Sequence, residues 1–319
     1  MAEAERVVVE KENVLISQGD CTVVLQPAYG GKVASISVRG YELMQTPLAE
    51  VAPRTQTMSF DKGDASGWDE CLPSVAECDV TTEAGTAHVP DHGDLWRVEW
   101  DVVKADAASA TLRGTCFSLP LELDRTITLV ETAKGWRLET KYTLRNTSAH
   151  AVPWSWAAHT LYATDEGDIL ELPETITQLR LEGSGGNRLG KGGDAVAWPL
   201  AKLVDGGTAD LRVASKPDAG TGDKLFAGPL SAAENWATLL RPKAGVRIRV
   251  SFDVAATPYL GLWICYGGWP DRPGLKQICI AIEPSTAPVD SLAIEGAWSR
   301  VLGAGQSFDW IMNVDLERI

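Results

Sequence analysis

Short segments in which apolar and polar residues alternate dominate the sequence. Clear examples are residues 21–26, 33–38, 96–103 and 246–252. Alternation with a period of two is typical of β-strands that bury one face. The same pattern recurs at residues 110–117, 124–130, 136–146, 176–182, 210–214, 235–240, 260–266, 277–283 and 307–314. Glycine-containing turns separate many of these segments, so the pattern predicts an all-β protein built mainly from antiparallel strands.

Helical periodicity is almost absent. The best candidate, residues 289–296, would make only one or two turns. Residues 183–193 (GSGGNRLGKGG) predict a long loop, since they lack the Lys-Ser/Thr pair of a phosphate-binding loop. No proline-rich hinge interrupts residues 150–260, so we expect one domain over residues 1–319, a large antiparallel β-sandwich.

Charge and composition narrow the function classes. The chain has 319 residues and a formal net charge of −14, and it has no stripe of Lys and Arg. Both nucleic-acid binding and membrane-surface binding require clustered positive charge, so neither is expected. No apolar run approaches the roughly 18 residues of a spanning helix. The first residues are charged and lack the apolar stretch of a secretory signal, so we expect a cytoplasmic protein.

The six cysteines are scattered and form no Cys-x-x-Cys pair. A chain of this length can build a core without disulfides, so we expect reduced thiols that pack as small apolar side chains. Cys71 and Cys78 are seven residues apart with no histidine between them, which is poor spacing for zinc ligands. No structural metal is expected.

Three residues stand out as candidates for chemistry. His92 lies in a Pro- and Gly-containing loop, and His159 ends an apolar segment that holds two tryptophans. A histidine of this kind is often a core residue, but a half-buried imidazole is also suited to general acid catalysis near neutral pH. Glu283 closes an almost wholly apolar strand, and burying an unpartnered carboxylate there would be costly. A catalytic base or an acceptor for sugar hydroxyls would explain it.

Tryptophan is unusually frequent, with 12 Trp against 5 Phe. Its flat apolar face and single N–H suit stacking on sugar rings, although it also fills cores. Polar or Gly/Pro neighbours make four of them the better stacking candidates: Trp68, Trp96, Trp263 and Trp269.

Taken in order, these features resemble the aldose 1-epimerase (galactose mutarotase-like) superfamily. The similarity extends from the opening strand pair at residues 25–36 to the C-terminal strand, and four blocks carry it. They are residues 67–75 (GWDECLPSV), 90–96 (PDHGDLW), 141–147 (KYTLRNT) followed by Ala158 and His159, and Leu262 and Trp263 followed by 280–286 (IAIEPST). A weaker match is GDKLF at residues 222–226. The resemblance implies a twisted antiparallel β-sandwich.

It also implies anomer exchange without metal or cofactor on a small-molecule sugar, by a monomer or homodimer. The implied roles are Glu283 as base, His159 as acid, His92 at the ring oxygen, Asp69 and Asp223 as acceptors for sugar hydroxyls, and Trp263 as a stacking platform. Two departures bear on the substrate. The implied acid, His159, lies in the segment AHTLY, whereas more familiar members of the superfamily have N-H-x-Y-F-N there. Trp96 stands at a position where members that act on hexose 6-phosphates often have arginine.

Two other functions compete with this hypothesis. A protein of the same fold could bind a sugar without catalysing a reaction on it, although a binding protein has no need of an acid–base pair. A glycosidase would use Glu283 with a second carboxylate, Asp69 or Glu70, because two acids flanking the bond are that reaction's requirement.

Overall fold

The computed structural model describes residues 9–10, 13–294 and 300–319. Strands account for most of its regular structure. In chain order the first thirteen are β1 Val9–Glu10, β2 Asn13–Gln18, β3 Cys21–Gln26, β4 Lys32–Val38, β5 Tyr41–Glu42, β6 Trp68–Cys71, β7 Cys78–Thr82, β8 Gly85–Val89, β9 Asp101–Ala105, β10 Ser109–Thr115, β11 Leu121–Thr132, β12 Gly135–Asn146 and β13 Val152–Trp154. The others are β14 Ala157–Ala163, β15 Ile169–Glu171, β16 Gln178–Ser184, β17 Ala195–Ala197, β18 Leu200–Lys202, β19 Thr208–Asp210, β20 Thr221–Ala227, β21 Trp236–Arg241, β22 Val246–Phe252, β23 Tyr259–Tyr266, β24 Ile278–Ser285, β25 Arg300–Leu302 and β26 Ser307–Arg318. Short 3-10 helices lie at Pro27–Tyr29, Phe60–Lys62, Leu95–Arg97 and Gly185–Asn187.

Two large antiparallel sheets form the sandwich. In the described residues the larger sheet has twelve strands in the order β1-β2-β3-β4-β6-β14-β24-β23-β20-β16-β17, with β5 beside β4. The smaller has eight, in the order β15-β21-β22-β26-β12-β11-β10-β9. Alternate residues of β22 are buried, and both sheets contribute to one continuous core. The prediction of an all-β antiparallel sandwich is confirmed.

Two predicted strands differ from the structure. Residues 96–103 begin with the 3-10 helix Leu95–Arg97, and the strand starts only at Asp101. The chain curls there because the buried Arg97 guanidinium donates to the backbone carbonyls of Met58, Asp91 and Gly93. Residues 210–214 were predicted as a strand, but the strand there is Thr208–Asp210. The Asp210 carboxylate accepts the Arg212 backbone N–H, and this turn ends the strand.

The predicted helix at residues 289–296 is not formed in its described part, which makes turns up to Ile294; residues 295 and 296 lie outside the described residues. The Asp290 carbonyl instead accepts the N–H groups of Val75 and Ala76, and this ties the segment to the loop after β6. The predicted glycine-rich loop is shorter than expected, since β16 runs to Ser184 and the 3-10 helix Gly185–Asn187 follows.

Six free thiols are present, five of them buried. Among the described residues, no helix has the length and apolar character needed to cross a membrane. The centre of the larger sheet, where β6, β14, β24, β23 and β20 lie side by side, positions the candidate site.

Candidate functional site

A cavity of about 330 Å³ opens on the outer face of the larger sheet. Its wall includes His92, His159, Lys224, Trp263, Trp269 and Asp290. A volume of this size, with aromatic walls and a few convergent polar groups, is typical of small-ligand sites.

Glu283 is 1% exposed and lies behind the lining of this cavity, next to two of its lining residues, His159 and Lys224. Its Oε2 accepts a hydrogen bond from Lys224 Nζ. Its Oε1 lies 3.8 Å from His159 Nε2 and has no hydrogen-bond partner among the described residues. The carboxylate is therefore held on one side and free on the side that faces the imidazole.

Strand register explains why the side chains of Glu283 and Lys224 meet. Glu283 on β24 is directly opposite Gly261 on β23, which is opposite Phe226 on β20. Lys224 is two residues from Phe226 and thus projects from the same face. A Cβ at Gly261 would approach Glu283 Oε2 to 3.0 Å, so glycine leaves the room that Lys224 and Glu283 need to reach each other.

Burial and neighbouring charges shift the pKa values of Glu283, His159 and Lys224. Burial raises the pKa of Glu283, and the Lys224 ammonium acts in the opposite direction. Burial lowers the pKa of His159 well below its usual value, and His92, Lys224 and Lys32 lower it further. Although burial opposes it, the pKa of Lys224 is raised because Asp290 and Glu283 are close. Lys224 is therefore a permanent cation of the site.

A strained loop holds His92 against the cavity. His92 has φ +59°, a left-handed conformation that is uncommon for residues other than glycine. Its ring stacks on Phe60 with centroids 3.8 Å apart, meets His159 edge-on at 5.1 Å, and bonds Asp91 through Nδ1 at 2.8 Å. Gly93 follows with φ +69°, and a Cβ there would lie 2.3 Å from the Leu72 carbonyl oxygen. Only glycine fits, so the loop fixes the position of the imidazole.

Trp263 and Trp269 form an aromatic wall. The Trp263 Nε1–H donates to Gln277 Oε1 at 2.8 Å, which fixes the plane of the indole. Gly222 lies against this ring, and a Cβ there would come within 3.0 Å of it. Both indoles line the cavity and offer flat apolar surface to a ligand.

Four residues expected from the sequence line the cavity: His92, His159, Trp263 and Trp269. Glu283 lies behind this lining, in contact with His159 and Lys224. Asp69 and Asp223 do not line the cavity. Asp69 is opposite His159 in register but is covered by Lys32, whose Nζ lies 2.6 Å from its Oδ2. Asp223 projects from the opposite face of β20 to Lys224 and is bound by Arg188 and Ser184.

The other candidates are structural parts of the sandwich. Trp68 and Trp96 are buried and 1% exposed or less. Glu70, the alternative glycosidase acid, lies between the sheets, where Arg125 Nη1 is 3.0 Å from its Oε1. Trp156 and Tyr142 also donate to its carboxylate.

The sequence interpretation did not identify Lys224, Asp290 or Phe60 as site residues. The alternation of strand residues could have identified Lys224. It lies two residues before Phe226 in the same strand, so both side chains project from the same face of the sheet. Asp290 and Phe60 come from irregular segments, and no local pattern places them at this sheet.

No protein-family profile matches the sequence, and a search of curated proteins finds no match. Solved structures do match over the whole chain. The Slr1438 protein from Synechocystis sp. PCC 6803 superposes with a TM-score of 0.72 at 16% identity, covering 100% of both chains. A galactose mutarotase-like protein from Lactobacillus casei ATCC 334 gives 0.64 at 18% identity, covering 96% of this chain and 100% of the other. A galactose mutarotase related enzyme from Lactobacillus acidophilus gives 0.65 at 16% identity, covering 96% and 97%.

The chain has the galactose mutarotase-like fold. At these identities the similarity establishes the fold, and the chemistry has to be argued from the site itself. In this example of the galactose mutarotase-like fold, the cavity lies over β14, β23 and β20. No group of three or more His, Cys, Asp or Glu side chains in the described part of the chain is arranged to hold a metal ion.

Proposed function

We propose that this protein is an aldose 1-epimerase, which interconverts the α and β anomers of an aldose. The observation that carries the proposal is the pairing of Glu283 with His159. The free Oε1 and the imidazole Nε2 are 3.8 Å apart, and His159 lines the aromatic-walled cavity. A carboxylate and an imidazole beside one sugar are the two proton-transfer groups that ring opening requires.

The proton movements balance without any other group. Glu283 removes the proton of the anomeric hydroxyl, and the electron pair of the broken O–H bond forms the second carbon–oxygen bond of the aldehyde carbonyl. The bond from the anomeric carbon to the ring oxygen breaks, and that oxygen takes its electron pair and a proton from His159. Rotation about the bond next to the aldehyde presents its other face. Reversal of both proton transfers then closes the ring as the other anomer.

The reacting form of the site has an ionised Glu283 and a protonated His159, and burial acts against both of these charges. Because the two groups are close, their titrations are coupled and the apparent pKa values belong to the pair. Activity should follow a bell-shaped pH profile, falling on the acid side as the pair gains a proton and on the alkaline side as it loses one. We assign His92 to the ring oxygen and Trp263 to stacking on the sugar face.

The charges around the cavity favour an aldose without a phosphate. Asp61, Asp91 and Asp290 line it, whereas Lys224 is the one Lys or Arg in the described lining. That ammonium is already engaged by Glu283 and Asp290. A phosphate needs unpaired cationic donors, which this wall does not offer.

The test is the rate of anomeric equilibration. Polarimetry of freshly dissolved α-D-glucose and α-D-galactose should show acceleration by the wild-type protein, and glucose 6-phosphate should be the poorer substrate. Glu283→Gln keeps the side-chain shape but removes the base, so kcat/KM should fall by about 10²–10⁴-fold. The exposed Glu174→Gln serves as the matched control and should behave like wild type.

Other outcomes identify the competing functions. Sugar binding by titration calorimetry without faster equilibration would indicate a binding protein. Release of reducing sugar from glycosides would indicate a glycosidase, although Asp69 and Glu70 are both committed to buried cations.

A further inference from the structure

We propose that Lys224 is a positioning residue for anomer exchange: it keeps Glu283 ionised and directs the free carboxylate oxygen toward His159 and the substrate. The inference rests on the proposed function, and it concerns a side chain that the sequence motifs did not identify. The argument comes from the contacts of Lys224, the burial of Glu283 and the charges that surround both.

Lys224 is itself held in place. Its Nζ contacts Glu283 Oε2 and lies 3.7 Å from Asp290 Oδ1, and it lies 5.3 Å from the centre of the Phe226 ring. Its side chain is only 11% exposed. An ammonium fixed between two carboxylates and an aromatic face has little rotational freedom, so it restrains the carboxylate that it binds.

Without this cation, Glu283 would be a poor base. Its side chain is 1% exposed, and burial of that degree favours the neutral acid. Six titratable groups interact electrostatically with Glu283 or lie within 4 Å of it. They are Lys224 from β20, His159 from β14, Cys71 from β6, Cys279 from β24 itself, and His92 and Asp290 from loops. Of these, only Lys224 carries a positive charge at every working pH. It is therefore the group that keeps the base ionised.

The same charge acts on the acid. Lys224 is one of the cations that lower the pKa of His159. Removing it would raise the pKa of Glu283, which loses its counter-ion, and would also raise the pKa of His159, which loses a repelling charge. Both limbs of the pH profile would then move in one direction, toward higher pH. A merely structural lysine would lower activity without moving either limb.

The experiment compares the pH dependence of kcat/KM for wild type, Lys224→Met and Lys224→Arg, with the exposed Lys202→Met as control. The Met variant should shift the whole bell upward by at least about one pH unit, so that activity on the acid limb falls at least about tenfold. The Arg variant keeps the charge and should restore most of the wild-type profile. Lys202→Met should not move it. If both limbs of the Lys224→Met profile stay at their wild-type pH and only the maximal kcat/KM is reduced, the inference is overturned.

A second measurement separates this inference from the proposed function. NMR titration of the Glu283 carboxyl carbon in isotope-labelled protein needs no activity, and its pKa should be higher in Lys224→Met than in wild type and Lys224→Arg. If wild type shows no anomer exchange, the proposed function fails while this titration still decides the role of Lys224. An unchanged pKa would reject that role. Should the Met variant not fold, Lys224→Gln replaces it under the same criterion.

Discussion

Two clusters on the larger sheet have the same composition, one lysine and two carboxylates, but differ in access. The closed cluster is Lys32 with Asp64 and Asp69. Lys32 Nζ lies 3.1 Å from Asp64 and 2.6 Å from Asp69 and also donates to the Ser66 carbonyl. All three side chains are 2% exposed or less. All three N–H donors of the Lys32 ammonium are thus used by groups inside the protein.

The open cluster is Lys224 with Glu283 and Asp290. Here the lysine and Asp290 line the cavity, and Asp290 is 20% exposed. Unpartnered carboxylate oxygens occur in both clusters, at Asp69 Oδ1 in the closed one and at Glu283 Oε1 and Asp290 Oδ1 in the open one. Of these oxygens, Glu283 Oε1 is the one that lies 3.8 Å from an imidazole that lines the cavity, that of His159. The comparison teaches that access to a ligand, rather than the kinds of residue present, separates a structural charge cluster from one suited to chemistry.

The largest stability effect is expected in the closed cluster. Lys32→Met leaves two buried carboxylates without their shared cation, although Arg54 still binds Asp64 at 2.8 Å. Breaking a buried pair in this way costs about 3–5 kcal/mol. Urea unfolding should show this loss, with Lys202→Met as a surface control. A variant as stable as wild type would contradict the assignment of the closed cluster to the fold.

A smaller effect is expected at the cavity wall above the open cluster. Trp263→Leu removes the stacking surface and the N–H to Gln277 but leaves Glu283 and His159 in place. A lost aromatic contact of about 0.5–1.5 kcal/mol should raise KM several-fold with little change in kcat. Steady-state kinetics on the best aldose would check this. A large fall in kcat with unchanged KM would show that Trp263 acts on the reaction step instead.

Much of the fold could be predicted from the sequence, because alternation is a local property of each strand. It failed where side-chain hydrogen bonds to the backbone overrode it. At residues 96–103 the buried Arg97 bends the chain around three backbone carbonyls. At residues 210–214 a carboxylate-to-backbone turn ends the strand early.

The candidate site was predictable in part. His92, His159 and Glu283 lie in recognisable motifs, and the structure brings them together. Asp223 shows the limit of motif matching, since a shift of one residue in a strand reverses the face and places Lys224 in the cavity instead. Asp69 shows another limit, because only the folded chain reveals that Lys32 covers it.

The most direct test of the account compares one conservative change in each cluster. Anomer exchange should be measured by NMR saturation transfer on an aldose at equilibrium, with wild type, Glu283→Gln and Asp69→Asn side by side. The account predicts that Glu283→Gln loses about 10²–10⁴-fold in rate, while Asp69→Asn, once shown to be folded, stays near the wild-type rate. Equal losses in the two variants, or an active Glu283→Gln, would contradict it.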